Sequence, residues 1–357
     1  MGDLRPVNDP SAALRSVAAT PPALDPEFVS QALARDFGLH GELRALVSER
    51  DQNFRLTTPD GSRYVAKIVS RVEDPAVTDF QIAVLFHLEH EGVSGVPRIV
   101  RNLADGALGS AAAPHGPAYR LRVTSWLPGE ALDTRMMNTA TARALGRRLA
   151  RVDRALANFS HAADQPVLLW DMQRAAGLID LTRHISDRTM HHGVRSVLET
   201  FRDQTAAKLE PLPKQVIHND ANPSNVLLAR VPPAPRVTLI DFGDMMRSAR
   251  VVELATAAAY LRAFEDPLRW IAPLVSAYHD DNPLTPGELN VLFDLTRTRL
   301  AMTISILHWR LSARAEDDPY RQQSLTSEQD AFEFLQALEA LGPERFAAEL
   351  QRRLAAG

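Results

Sequence analysis

Hydrophobic residues recur along the chain with two different spacings, and the spacing changes near residue 126. Before that point, short apolar runs alternate with polar positions, as in strands that bury one face. Asp-Pro pairs and glycines bracket two further segments, over 25–38 and 74–92, which predicts a helix in each. The predicted strands are Leu43–Val47, Phe54–Thr58, Tyr64–Val69, Arg98–Asn102 and Tyr119–Ser125.

After residue 126, apolar residues recur every three to four positions, which is typical of amphipathic helices. Two short strands, Val216–His218 and Val237–Ile240, flank a proline-rich turn at 231–235, because prolines cannot occupy a strand interior. The pattern predicts an α+β fold with a small antiparallel-sheet lobe and a helix-rich lobe. We expect a mobile tail over 1–24, an N-terminal lobe over 25–126 and a C-terminal lobe over 127–357. The predicted helices cover 138–163, 171–186, 192–210, 251–264, 267–279, 286–311 and 327–357.

Two acidic motifs lie in the helix-rich lobe, one after each of its short strands. His218, Asp220 and Asn225 form an H-x-D-x-x-x-x-N pattern, and Asp241 begins an Asp-Phe-Gly triplet. Phosphoryl transfer needs a carboxylate beside the attacking hydroxyl, with an amide and a second carboxylate to hold metal ions against the phosphates. We therefore expect Asp220 to be the catalytic base and Asn225 and Asp241 to hold Mg²⁺. His218 is expected to brace the loop.

The N-terminal lobe offers one candidate for binding nucleotide phosphates. Lys67 projects from a predicted strand between apolar neighbours. Neither G-x-G-x-x-G nor G-x-x-x-x-G-K-[ST] occurs in the chain, which disfavours both P-loop proteins and ordinary protein kinases. The loop over the phosphates would then run from Ser48 to Asn53 and use polar side chains and backbone N–H groups. A polar hairpin loop without a ligand is the alternative.

Composition excludes several other functions. The chain has 357 residues, a net charge of −4 and no cysteine, so it offers no basic field for nucleic acid, no disulfide and no thiolate site. No apolar stretch is long enough to span a membrane, and residues 1–24 lack the apolar core of a secretory signal. We expect a cytoplasmic enzyme without a nucleic-acid or membrane partner, and its oligomeric state is left open.

The motifs V-I-H-N-D-A-N-P-S-N-V-L-L and I-D-F-G-D, with S-W-L-P-G-E between the lobes, resemble the aminoglycoside phosphotransferase and choline kinase family. The resemblance covers about residues 25–345. Within that family, S-E-R-D-Q-N-F-R-L, the Trp170-Asp171 pair and D-F-G-D-M are most similar to hydroxylysine kinase-like proteins. The resemblance implies a bilobal, protein-kinase-like fold, Mg²⁺, ATP or GTP as donor, and a small hydroxylated acceptor. From the order of the lobes we expect the nucleotide to lie in the cleft between them, with Ser125 and Trp126 as candidate contacts.

One position departs from the family pattern. The first-lobe helix normally supplies a Glu that pairs with the sheet lysine, and Gln81 occupies that position here. Glutamine can hydrogen-bond to Lys67 but cannot form an ion pair with it.

The acceptor site is less strongly indicated. The carboxylates of Asp171 and Asp244 could bind a substrate amine, with Trp170 covering its alkyl part and Asn222 lying on the same side of the catalytic loop. A helix cap is an equally good interpretation of each aspartate. Glu253 is expected to support the catalytic loop.

We therefore expect a small-molecule kinase that phosphorylates an amino-alcohol or a hydroxylated amino acid. An aminoglycoside or other antibiotic phosphotransferase is the first alternative. A non-catalytic, nucleotide-binding regulator is the second, and the intact Asp220, Asn225 and Asp241 argue against it. The acceptor and the choice between ATP and GTP stay open.

Overall fold

Five antiparallel strands and two helices make up the first part of the chain, as far as the structure describes it. The computed structural model describes residues 21–48, 50–229, 235–312 and 319–355, and only the backbone of 319–327. The described chain divides into two compact units. The sheet unit contains the described residues up to Pro128 together with Phe159–Leu169, and the helical unit contains Gly129–Asn158 and the chain from Trp170 onward.

Four of the five strands described in the sheet unit coincide with predicted strands to within two residues at each end. Its strand order is β1-β2-β3-β5-β4, and every neighbouring pair is antiparallel. Phe159 and His161 belong to this unit because their rings pack against Phe80 of the second helix. The elements are α1 (Pro26–Phe37), β1 (Glu42–Leu46), β2 (Gln52–Thr57), β3 (Arg63–Ile68), α2 (Pro75–His90), β4 (Leu108–Ala111) and β5 (Tyr119–Ser125).

The strand predicted over 98–102 is wrong. Only a single bridge joins Ile99 to Thr124 there. The Asn102 side chain accepts hydrogen bonds from the backbone N–H groups of Ala104 and Gly106, which starts a turn instead of a strand. The fifth strand of the sheet is β4, which was not predicted because its short, glycine-containing sequence has no clear alternation of apolar and polar residues.

The start and end of α1 follow from its flanking residues. Asp25 accepts a hydrogen bond from the Glu27 N–H as N-cap, and Gly38 ends the helix with a φ of 65°. Leu24, the last residue of the segment expected to be mobile, is buried, and its backbone exchanges two hydrogen bonds with the Gln52 side chain. Residues 1–20 of that segment lie outside the described residues.

The helical unit contains two small antiparallel sheets among its helices. One pairs β7 with β10, and the other has the order β6-β8-β9. The elements are β6 (Glu130–Ala131), a 3₁₀ turn (Thr134–Met136), α3 (Thr139–Leu156), a 3₁₀ segment (Met172–His184), α4 (Arg188–Thr200), a π turn (Phe201–Thr205), α5 (Ala206–Leu209), β7 (Lys214–Ile217), β8 (Val226–Ala229), β9 (Arg236–Leu239), β10 (Met246–Ala249), α6 (Val251–Ala258), α7 (Leu268–Asp281), α8 (Pro286–Ser312), α9 (Pro319–Leu341) and α10 (Pro343–Ala355).

Several helices differ from their predicted form. The segment predicted as a helix over 171–186 is 3₁₀ rather than α, and the one over 192–210 is interrupted by a π turn. The last predicted helix is two helices, because Gly342 adopts a left-handed conformation with a φ of 76° and Pro343 begins α10. The turn at 231–235 lies mostly outside the described residues. No helix within the described ranges is both long and apolar enough to span a membrane.

Helices α3 and α7 pack closely against each other. A Cβ atom at Gly146 would lie 2.1 Å from the Leu274 carbonyl oxygen, so only glycine allows this approach. Farther along the same pair, the Tyr278 hydroxyl donates to the buried Asp153 carboxylate over 2.6 Å.

Candidate active site

The H-x-D motif forms a loop between β7 and β8, and buried side chains hold it. The ring of His218 is fully buried, and its Nε2 lies 3.0 Å from the Ile240 carbonyl oxygen. A carbonyl can only accept, so Nε2 carries the proton and Nδ1 accepts from the Asp220 N–H over 3.3 Å. The ring also packs edge-on against Phe242 at 4.6 Å. His218 therefore joins the H-x-D loop to the Asp-Phe-Gly segment.

Asn219 is a second brace, which the sequence did not indicate. Its φ of 65° lies in the left-handed region, which asparagine tolerates better than most residues. Its N–H donates to the buried Glu253 carboxylate over 2.7 Å, and its side-chain amide donates to the Asp244 carbonyl oxygen. Burial raises the pKa of Glu253, and the hydrogen bond from the Asn219 N–H opposes that rise. Glu253 thus supports the loop through the Asn219 backbone.

The Asp220 carboxylate receives hydrogen bonds on both of its oxygens. Asn225 Nδ2 donates to Oδ2 over 2.6 Å, and Asn222 Nδ2 donates to Oδ1 over 3.0 Å. The guanidinium of Arg299, on α8, donates from Nη2 to the same Oδ1 over 3.3 Å. Three donors from two elements therefore fix the orientation of this carboxylate.

The charges around Asp220 are predominantly negative. Burial raises the pKa of Asp220 to about 8; Asp244 and Asp241 act in the same direction, and Arg299 opposes them. A divalent cation bound nearby would lower that pKa again, because the ion becomes the largest local charge.

Asn225 and Asp241 fit a role as Mg²⁺ ligands. The Asn225 amide nitrogen is used by Asp220, which leaves the amide oxygen for a cation. Asp241 has a left-handed φ of 57° and is exposed, while the next residue, Phe242, is buried and anchors the segment. No group of three or more His, Cys, Asp or Glu among the described residues could enclose a metal. Mg²⁺ in phosphotransferases does not need such a group of protein ligands, since phosphates and water complete its coordination.

The candidate acceptor residues have different surroundings. Asp171 is buried, caps the 3₁₀ segment through the Gln173 N–H, and pairs with Arg174 at 3.2 Å. Burial raises its pKa. Asp244 is also buried, and among neighbouring charges it has the largest effect on the pKa of Asp220. The ring of Trp170 packs under the Arg299 guanidinium at 4.6 Å. Asp244 and Trp170 thus lie beside the Asp220 cluster, and Asp171 has a cap's contacts.

In the sheet unit, Lys67 pairs with a carboxylate that the sequence did not indicate. Lys67 Nζ lies 3.1 Å from Asp51 Oδ2, and the other oxygen of Asp51 accepts from the Ser70 N–H over 2.8 Å. Burial would raise the pKa of Asp51, but the charge of Lys67 and these hydrogen bonds hold it below the usual value. Lys67 is directly opposite Asn53 and Arg122 on the neighbouring strands, so the three side chains share one face of the sheet.

Gln81 lies on that same face. Its Oε1 accepts from Arg122 Nη1 over 2.8 Å, and its side-chain amide donates to Glu73. The polar loop expected from Ser48 to Asn53 is shorter than predicted, because β2 begins at Gln52. Glu49 lies outside the described residues.

Ser125 and Trp126, the remaining candidates for nucleotide contacts, have partners within the sheet unit. Ser125 Oγ accepts from the Arg98 N–H, and the Trp126 ring lies 5.7 Å from the Arg55 guanidinium. The chemical roles of these and the other candidate residues stay predictions.

A comparison with known protein families shows to which family the chain belongs. The model of the phosphotransferase enzyme family, APH, matches residues 42–292. The chain belongs to this family. It is a small-molecule phosphotransferase that acts on hydroxyl groups, and the expected resemblance is confirmed.

Individual relatives are distant. Hydroxylysine kinase from Mus musculus is 23% identical over 333 residues, which cover 87% of this chain and 88% of that protein. An amicoumacin kinase, solved with AMP-PNP and Ca²⁺, has a TM-score of 0.67 at 15% identity and covers 87% of this chain and 93% of its own. A microcompartment-associated aminopropanol kinase has a TM-score of 0.65 at 17% identity, with 92% and 100% covered. These similarities confirm the α+β kinase-like fold.

Proposed function

We propose that this phosphotransferase uses Mg²⁺ to transfer the γ-phosphoryl group of ATP or GTP to the hydroxyl of an amino-alcohol or a hydroxylated amino acid. The observation that carries the proposal is the Asp220 carboxylate, oriented by Asn222, Asn225 and Arg299. Hydroxylysine kinase and aminopropanol kinase, to which the chain is similar, bear names that fit such acceptors.

Each group in the helical unit has a defined task in this proposal. Asp220 accepts a hydrogen bond from the acceptor hydroxyl and takes its proton as the oxygen attacks the γ-phosphorus. The Asn225 amide oxygen and the Asp241 carboxylate would hold Mg²⁺, and the ion would offset the charge of the nucleotide phosphates. His218, Asn219 and Glu253 hold the loop that carries Asp220.

In the sheet unit, Lys67 is the proposed contact for the nucleotide phosphates. Asp51 forms an ion pair with its ammonium and helps to hold it in position. Gln81 accepts a hydrogen bond from Arg122, the cross-strand neighbour of Lys67, and its pairing with Lys67 stays a prediction. Ser48, Asn53, Ser125 and Trp126 stay candidates for contacts to the nucleotide.

For the acceptor amine, Asp244 is the better candidate of the two aspartates. The Asp171 carboxylate already caps a helix and pairs with Arg174, whereas the charge of Asp244 acts strongly on Asp220. A charge-assisted hydrogen bond to a substrate ammonium is worth about 1.5–3 kcal/mol, or roughly 10- to 100-fold in kcat/KM. Asp244→Asn should therefore raise the acceptor KM, and Asp171→Asn should lower stability with acceptor KM unchanged.

The decisive experiment is an acceptor panel. Hydroxylated amines, hydroxylated amino acids and an aminoglycoside are incubated with Mg-ATP or Mg-GTP, and phosphorylated products are detected by mass spectrometry. Asp220→Asn serves as the inactive control. Phosphorylation of amines or amino acids with a hydroxyl supports the proposal. Transfer only to the aminoglycoside would favour the alternative, and no transfer to any acceptor would refute both.

A further inference from the structure

A buried arginine contacts the catalytic carboxylate from an element that carries none of the sequence motifs. Arg299 lies in the middle of α8, and its side chain is 1% exposed. Its Nη2 is 3.3 Å from Asp220 Oδ1, and its guanidinium carbon is 4.6 Å from the centre of the Trp170 ring. The charge is therefore fixed between an aromatic face and the carboxylate.

Stability alone does not account for this residue. Desolvating an ion pair costs several kcal/mol per charge, and well-packed apolar residues of similar volume are often at least as stable. Two further donors of Arg299, Nε and Nη1, are buried and make no close hydrogen bond among the described residues, although the nearby Tyr260 offsets part of the cost of burying the charge. The buried neighbours of Arg299 on α8 are uncharged: Leu300 and Ala301 are apolar, and the hydroxyls of Thr298 and Thr303 donate to carbonyl groups of the helix itself.

The local charges indicate what Arg299 contributes. Asp220 lies among Asp241 and Asp244, and Arg299 is the nearby cation that acts against them. The other contact to Asp220 Oδ1 comes from Asn222, a neutral donor on the same loop. Without Arg299, one oxygen of the carboxylate would depend on that loop alone, and repulsion from two carboxylates would favour its rotation away from them.

We propose that Arg299 is a positioning residue for phosphoryl transfer: packed on Trp170, it holds the Asp220 carboxylate in the orientation that receives the acceptor proton. This inference rests on the function proposed above. In the step itself, the acceptor oxygen bonds to the γ-phosphorus, the bond to the β–γ bridging oxygen breaks, and the proton passes to Asp220. Arg299 exchanges no proton, so its removal should lower kcat and leave KM for nucleotide and acceptor close to the wild-type values.

The test compares three substitutions at Arg299 with a control elsewhere. Arg299→Met removes the charge but keeps a long side chain, Arg299→Lys keeps the charge without the planar fork, and Arg299→Ala leaves a cavity. Arg250→Met is the control. Arg250 is also an ion-paired arginine in the helical unit, but its contacts are Glu288, Asn282 and the Pro283 carbonyl. Turnover is measured with the accepted substrate and as slow Mg-ATP hydrolysis with water as acceptor, and thermal melting records folding.

We expect Arg299→Met to lower kcat about 10- to 100-fold, the loss that one charge-assisted hydrogen bond corresponds to. Arg299→Lys should be intermediate. Millimolar guanidinium, far below denaturing concentrations, should restore part of the turnover of Arg299→Ala, and equal potassium chloride should not. Arg250→Met should lose stability but keep the kcat of its folded fraction.

Three results would overturn the proposal. Near-wild-type turnover of Arg299→Met would show that Asp220 needs no such support. A rise in KM confined to acceptors with a carboxylate would make Arg299 a binding residue. Loss of turnover with no recovery by Lys or guanidinium, and with the same melting shift as Arg250→Met, would make it a structural residue. If wild-type protein neither transfers nor releases phosphate, the proposed function itself fails and Arg299 loses this role with it.

Discussion

The ion pair between Lys67 and Asp51 can be tested without knowing the acceptor. Its atoms are 3.1 Å apart, and the two side chains are 15% and 10% exposed. At that distance and an effective dielectric of about 20, the Coulomb attraction is about 5 kcal/mol before desolvation is subtracted. Removing one partner of a buried pair typically costs about 3–5 kcal/mol. Asp51→Asn should cost less, about 1–3 kcal/mol, because Asn keeps the hydrogen bond from the Ser70 N–H.

The assay is a double-mutant cycle. Urea unfolding of wild type, Asp51→Asn, Lys67→Met and the double variant gives four free energies of unfolding for the transition of the sheet unit. We expect a coupling energy above about 1 kcal/mol. Acid should remove the stabilisation by the ion pair, and only in wild type. The pKa of Asp51 is lower in the folded than in the unfolded protein, where it is about 3.9, so the pair adds stability above that pH. That stability is lost as the pH falls through the folded-state pKa of Asp51.

Mg-nucleotide supplies the second half of the test. If phosphates lie against Lys67, they replace the charge removed in Asp51→Asn, so nucleotide should raise the melting temperature of this variant more than that of wild type. A coupling energy below about 0.5 kcal/mol would mean that the two substitutions are additive, and would refute the importance of the ion pair for stability. Equal melting shifts in the two proteins would refute the assignment of Lys67 to the phosphates and leave the ion pair standing.

Three further results are expected. Asp220→Asn should lose about 10²–10⁴ in kcat while nucleotide affinity, measured by calorimetry, changes little; near-wild-type turnover would contradict the assignment of the base. Asp241→Ala should abolish transfer and weaken Mg-nucleotide binding, and full activity of wild type in EDTA would argue against the metal role. Gly146→Ala should lower the free energy of unfolding by about 1–3 kcal/mol or more, because its Cβ would meet the Leu274 carbonyl at 2.1 Å. Gly193→Ala, whose Cβ would meet only the Phe332 ring at 3.2 Å, should cost less and is the control.

The parts that the sequence predicted well are local in the chain. Asn222 and Asn225 contact Asp220 across two and five positions, so a short motif contains most of the cluster. Strands β3 and β5 agree with their predicted runs within one residue, because alternation of apolar side chains over six or seven positions is a strong signal.

Elements defined by packing were predicted less well. Strand β4 contains four residues, and its position depends on α1: the Ser110 N–H donates to Asp36, and Gly109 lies against Phe37. Such a segment has no alternation to detect. The sequence signal for β4 would have been a short run of residues able to pair with the edge of β5.

Arg299 and Asp51 show why partners of charged groups are the hardest features to predict. Arg299 is 79 positions from Asp220, on a helix whose apolar pattern predicts only a buried α8. The sequence placed the partner of Lys67 on α2, where a family position is normally Glu, but an ion pair requires only that two charges meet. Here the loop before β2 brings Asp51 to the lysine, and Gln81 on α2 is hydrogen-bonded to Arg122. A glutamate at Gln81 would lie beside Arg122 and could neutralise its charge. A carboxylate on the loop, by contrast, pairs with the lysine directly, so the ion pair ties Lys67 to the segment expected to cover the phosphates.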